Sequence, residues 1–105
     1  MIEEENNEAV THEEILHHIS VTYEAKNADY GDSFHKLCEQ YGWSYALAHM
    51  EEKIARIKTL SRTSAHVMDE GMEDSLLDLA GYAILTYMEY VNGNEGLHGA
   101  QEYGR

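Results

Sequence analysis

Proline is absent from these 105 residues, so no position is denied the backbone N–H that a helix interior uses. A lone cysteine, Cys38, excludes an internal disulfide and a cysteine-based zinc site, and the fold needs no oxidising compartment. Basic residues are scarce: seven Lys and Arg stand against 20 Asp and Glu, a formal net charge of -13 at pH 7 and a pI near 4.7. That balance argues against direct binding to nucleic-acid backbones, which reward clustered Lys and Arg. No run of about 18 uncharged apolar residues occurs, so no membrane span is expected. The acidic stretch Met1 to Ala9 has no apolar segment of signal-peptide type, and a cytoplasmic setting is the expectation.

What is present favours helices: Glu, Leu, Ala and Met in regular alternation with charge. The length allows one domain with a single core. Residues 1–10 read as an acidic flexible arm, 11–91 as the all-α domain, and 92–105, with four glycines, as a flexible tail. Thr11 and Glu14 form a capping-box pattern, and Ile15, Leu16, Ile19, Tyr23 and Tyr30 continue at helical spacing, which predicts a first helix over 11–29 stopped by Gly31. A short second helix carries Phe34, Leu37, Cys38 and Tyr41 on one face and ends at Gly42, with Cys38 in the core. Ser44 is placed to cap a third helix whose apolar positions Leu47, Met50, Ile54, Ile57 and Leu60 recur at intervals of three and four. Asp69 is placed to start a fourth helix reaching Val91, apolar on nearly every side from Leu76 onward. Four helices with short links predict a four-helix bundle in which the central helices pair subunits into an oligomer.

Asp78 lies inside that apolar run, where an ionised carboxylate needs a partner. Asp74 and Glu70 precede it by one and two turns and Tyr82 follows by one, all on one helical face. Like charges at that spacing repel, and a divalent cation reverses the sign. Glu70 and Asp78 are about 12 Å apart along the axis, so one ion cannot take all three. On the third helix, with Ile54 set as the core direction, Glu51 lies about 60° away and Glu52 about 160°, so Glu51 is the expected inward ligand. Lys53 and Arg56, on the opposite flank, are placed to grip phosphate oxygens or to pair with surface acids. Lys26, Asn27, Asp29, Tyr30 and Gly31 combine a helix stop with an aromatic and polar groups that can hold a planar base, and Trp43 offers a second aromatic face. The seven histidines show no metal spacing, and no P-loop or dinucleotide loop appears.

The segments K-N-A-D-Y-G-D-S-F, E-E-K-I-A-R-I-K-T-L and M-E-D-S-L-L-D-L-A-G-Y-A-I-L together resemble the phage and bacterial nucleotide modification associated domain. That family looks related to the all-α nucleoside triphosphate pyrophosphohydrolases of the MazG and dCTP pyrophosphatase kind, which bind Mg²⁺ through acids on two helices and release pyrophosphate. Carried over, the resemblance puts Asp78 at the aspartate of an E-x-x-D motif and Tyr82 at an aromatic four residues later. Ser75 stands where the motif has glutamate, so Asp74 would have to substitute. Glu51 and Glu52 match the start of the upstream E-E-x-x-E, and Ala55 replaces its last acid.

The resemblance implies Mg²⁺ on Glu51, Glu70, Asp74 and Asp78 and phosphates on Lys53 and Arg56. Glu51 or Glu52 would orient or deprotonate water, and Lys26, Asp29, Tyr30, Trp43 and Tyr82 would face the base. The leading expectation is an Mg²⁺-dependent nucleotide pyrophosphohydrolase of phage or bacterial nucleotide metabolism. A second is a catalytically silent protein that sequesters nucleotides or nucleotide signals, as a phage counter-defence device would. A third is an acidic helical protein that mimics nucleic acid, for which the net charge is the support.

Overall fold

The computed structural model describes residues 9–30, 32–63 and 65–99, apart from the side chains of 28–30 and 65–70. Four α-helices and a 3-10 turn follow one another, with no strand among the described residues, so the protein is all-α as expected. No helix among those residues is long and apolar enough to cross a membrane. The chain divides after Gly31 into two compact units.

The first unit holds α1, His12–Tyr30. The expected capping box forms: the Thr11 N–H donates to Glu14 Oε1 and the Glu14 N–H donates to Thr11 Oγ1, each at 3.1 Å. Two otherwise orphaned donors are thereby satisfied. Ile15, Ile19 and Tyr23 share a half-buried face, while Leu16 and Val21 are exposed.

The second unit contains α2, Ser33–Tyr41, α3, Trp43–Leu60, α4, Ala65–Val91, and the turn Glu95–Leu97. Gly42 alone separates α2 from α3. Its φ of 67° is in the left-handed region that glycine adopts without strain. Its N–H closes α2 on the Cys38 carbonyl at 2.7 Å, and its own carbonyl accepts from Tyr45 at 3.1 Å. The third helix therefore starts on Gly42, with Trp43 as its first residue, rather than on Ser44. The fourth helix likewise starts four residues before Asp69. Ser61, Arg62 and Thr63 turn the chain on the last carbonyls of α3, and no glycine or proline delays the helix beyond them.

Helices α3 and α4 run antiparallel in a register that can be read turn by turn. Leu60 packs on Gly71, where an added Cβ would lie 2.9 Å from the leucine. Lys53 meets Asp78, His49 stacks on Tyr82, and Trp43 meets Tyr90. The inner stripe of α3 is thus Ala46, His49, Met50, Lys53, Ile57 and Leu60, with Ala46 0% exposed. Ile54, expected to point at the core, is 42% exposed. The stripe is rotated because an antiparallel partner selects the seam that packs best, and Lys53 brings its own counter-charge there.

The segment expected to be a tail folds back over its described length, Asn92–Gly99. The N–H groups of Gly93 and Asn94 return to the carbonyls of Tyr90 and Glu89, a Schellman closure with Gly93 at φ 83°. Asn94 then caps the 3-10 turn, its Oδ1 accepting from the Gly96 N–H at 2.8 Å. Gly96 lies so close to α2 that a Cβ there would collide with the Cys38 carbonyl oxygen. Leu97 is buried behind it, and the Trp43 indole N–H donates to the Leu97 carbonyl at 3.1 Å. Cys38, 0% exposed, is core as expected, and burial pushes its thiol up to about 11 with Glu89 adding in the same sense.

A polar clasp ties this turn to α2 and α4. His35 Nδ1 lies 2.6 Å from Glu89 Oε1, and Asn94 Nδ2 donates to the same oxygen at 2.9 Å and to the His35 carbonyl at 3.2 Å. The hydrogen bond to Glu89 raises the His35 pKa above its ordinary 6.5; burial opposes it, and the charges of Glu89, Glu39 and Asp32 reinforce it. A raised folded-state value means that the stabilisation is whole below the unfolded pKa and is lost as pH climbs through the folded one. Emission from the sole tryptophan, which bonds to the turn, is therefore expected to shift to the red as pH rises from about 6 past that value, with faster amide exchange over Asn94–Gly99. His35→Gln should flatten both responses; wild-type emission that ignores pH would refute the clasp.

Candidate functional site

Helical spacing places successive inner residues of α3 and α4 opposite one another, and two of these levels carry chemistry. At one, Lys53 Nζ lies 3.3 Å from Asp78 Oδ2, with the lysine side chain 21% and the aspartate 43% exposed. Asp78 is therefore partly exposed and not enclosed in hydrocarbon as expected, and its partner is an ammonium of its own chain. One turn away along both helices, His49 and Tyr82 stack with ring centres 4.6 Å apart. Phe34 and Tyr45 close around them: Tyr45 meets His49 edge-on at 4.6 Å, and Phe34 lies 5.6 Å from Tyr45 and 6.1 Å from Tyr82. Burial, then the neighbouring Tyr82, raises the pKa of the Tyr45 hydroxyl, which stays protonated at neutral pH.

Beside the ion pair a groove of about 330 Å³ runs along α3, lined by Glu52, Lys53, Ala55, Arg56, Thr59 and Leu60. Arg56 makes no ion pair with any described residue, and its guanidinium passes over Gly71, 3.2 Å from where a Cβ would stand. Two of the seven basic side chains of a strongly acidic chain therefore meet in one groove, with a hydroxyl at Thr59. This arrangement can receive an anion and, one turn away, a planar ring.

The other expected site residues lie as follows. Glu51, the expected inward ligand, is on the exposed side of α3, because the stripe centres on Lys53 and not on Ile54. Glu52 is exposed and lines the groove, and Asp74 is exposed on α4. The side chains of Glu70, Asp29 and Tyr30 lie outside the described residues. Lys26 is exposed on α1, in the first unit. Trp43 is about 15 Å along α3 from Lys53 and is engaged with Leu97 and Tyr90, so it belongs to the terminal turn. Among the described residues no three His, Cys, Asp or Glu side chains come together to hold a metal ion.

His49, Phe34 and Tyr45 were not singled out from the sequence. A signal was present in the spacing: His49 precedes Lys53 by four as Tyr82 follows Asp78 by four, so antiparallel packing sets histidine against tyrosine wherever lysine meets aspartate. Ser75, the residue standing in the acid motif, is 1% exposed and its hydroxyl has no hydrogen-bond partner among the described residues.

A family model described as Nucleotide modification associated domain 1 matches residues 26–90. No curated protein and no solved structure matches the chain.

An unsatisfied buried hydroxyl costs about 1–3 kcal/mol, and alanine also has the better helix propensity. Ser75→Ala is therefore expected to stabilise the protein by roughly 1 kcal/mol, seen as a higher urea midpoint at unchanged slope. A lower midpoint would mean that the hydroxyl has a partner.

Proposed function

The chain belongs to the nucleotide modification associated domain 1 family, and we propose that it binds a nucleotide along the α3–α4 hairpin. The phosphates rest on Lys53 and Arg56, and the base adds to the rings of His49, Tyr82 and Phe34. The observation that carries this reading is the adjacency of groove and ring cluster: cationic donors and an aromatic stack lie one helical turn apart, about 6 Å, on the scale of a nucleoside. Stacking of a base on such rings contributes about 1–3 kcal/mol and tolerates different bases. Guanidinium and ammonium donors add charge-assisted hydrogen bonds to phosphate oxygens.

Hydrolysis is the second reading, favoured by the resemblance to the MazG-like pyrophosphohydrolases and by Glu52, whose side chain lines the same groove as Lys53 and Arg56. A carboxylate there is placed to orient water or take its proton. The binding reading ranks first because the described acids do not converge. Pairing of copies through α4 fits its exposed outer face, where Leu76 is 50% and Tyr87 67% exposed, and a cytoplasmic setting fits a nucleotide ligand.

Purified protein incubated with ribo- and deoxyribonucleoside triphosphates, with and without Mg²⁺, distinguishes the readings when retained ligand and released pyrophosphate are both measured. Saturable retention without turnover is the expected result, and His49→Ala should weaken it about fivefold or more, the loss of one stacking partner. Pyrophosphate release would establish the enzyme instead. Neither retention nor release would remove the nucleotide reading and favour a macromolecular partner for the acidic surface.

A further inference from the structure

Resting on the nucleotide-binding reading, we propose that Lys53 supplies the positive charge that a divalent cation would supply at Asp78, so that a polyphosphate binds Lys53 and Arg56 directly and without metal. Asp78 already has a cation at 3.3 Å. That cation is covalently held, because Lys53 sits on the inner stripe of α3 and the antiparallel register returns it to Asp78 in every molecule. A metal would have to displace an ammonium at fixed, high local concentration.

The described residues around the pair favour direct binding of an anion. Ser75 puts a buried neutral hydroxyl where the resemblance has an acid. Glu51 and Asp74 are exposed on their helices, and Asp74 stands one turn before Asp78. On the other side of Lys53, Arg56 is one turn on and makes no ion pair with a described residue, and its guanidinium lies over Gly71, where a side chain would crowd it. Glu52 is the described acid that lines the groove. An anion entering there meets Lys53 and Arg56 first.

Binding is then an exchange of partners. A phosphate oxygen takes the Lys53 ammonium from Asp78, whose carboxylate, 43% exposed, turns into water at small cost. The flexible four-carbon stem of lysine accommodates the move, whereas a guanidinium fork would not follow as readily. Asp78 is therefore a competitor of the ligand. Neutralising it strengthens binding, the reverse of what a metal ligand would do.

The test is calorimetric titration with inorganic tripolyphosphate in EDTA, followed by the same titration in Mg²⁺. Wild-type protein should bind saturably in EDTA and gain no affinity from Mg²⁺. Asp78→Asn should raise the affinity about threefold to fivefold, the strength of a partly exposed ion pair. Lys53→Gln should lower it at least about tenfold, the loss of a hydrogen bond to a charged group, and Lys58→Gln, on another face of α3, should leave it unchanged. Trp43 emission reports that each variant is folded. Binding that requires Mg²⁺ and is weakened in Asp78→Asn overturns this inference and leaves the nucleotide reading in place. If neither tripolyphosphate nor any nucleoside triphosphate is retained, the nucleotide reading fails and the inference with it.

Discussion

A lysine and an aspartate meeting between two antiparallel helices decide how this hairpin is aligned. The pair contributes little to stability: a partly exposed ion pair is worth about 0.2–1 kcal/mol, against about 2 kcal/mol for burying a leucine such as Leu60 or Leu97. Its effect is on register. A slip of one turn toward the end of α4 would set Lys53 against Tyr82 and Asp78 against Ile57, so neither charge would keep its partner. The leucines hold the helices together, and the charges choose which residues face each other. Once Lys53 and Asp78 are matched, the His49–Tyr82 stack and the Gly71–Leu60 contact follow from helical periodicity alone.

The opposite end of the hairpin is closed by different means. The terminal turn brings Leu97 into the core between α2 and α3, and Glu89 accepts from both His35 and Asn94. A small domain with few fully buried side chains depends on such closures, since its apolar interior is thin. The two polar clusters have opposite characters: the clasp at Glu89 is a satisfied network that fixes a loop, whereas the Lys53 level keeps cationic donors on an open groove.

Local chemistry made much of the fold legible. The capping box at Thr11 and Glu14 and the glycine stops use contacts within a few residues, so sequence suffices to find them. The all-α character, the core role of Cys38 and the nucleotide modification family were legible for the same reason: they rest on pattern and motif. What sequence could not show was tertiary selection. Ile54 and Lys53 lie on adjacent positions of one helix, and only the partner helix determines that the lysine faces inward. Asp69 is a good cap by propensity, but the tight turn through Ser61–Thr63 had already reversed the chain. Four glycines made the last segment read as loose, although Gly93 and Gly96 are there because a reversal and a close approach to Cys38 demand them. The apolar run around Asp78 suggests a buried carboxylate, whereas the side chain is 43% exposed and its partner, Lys53, lies on another helix.

The corner at Gly42 has a consequence for how chains of this kind can diverge. With one residue serving both helices, an insertion there would break the paired closure on the Cys38 and Gly42 carbonyls and shift the start of α3. The Ser61–Thr63 connection hangs outside the packed interface and imposes no such constraint. Natural length variation in relatives should accordingly accumulate between the third and fourth helices and be all but forbidden between the second and third.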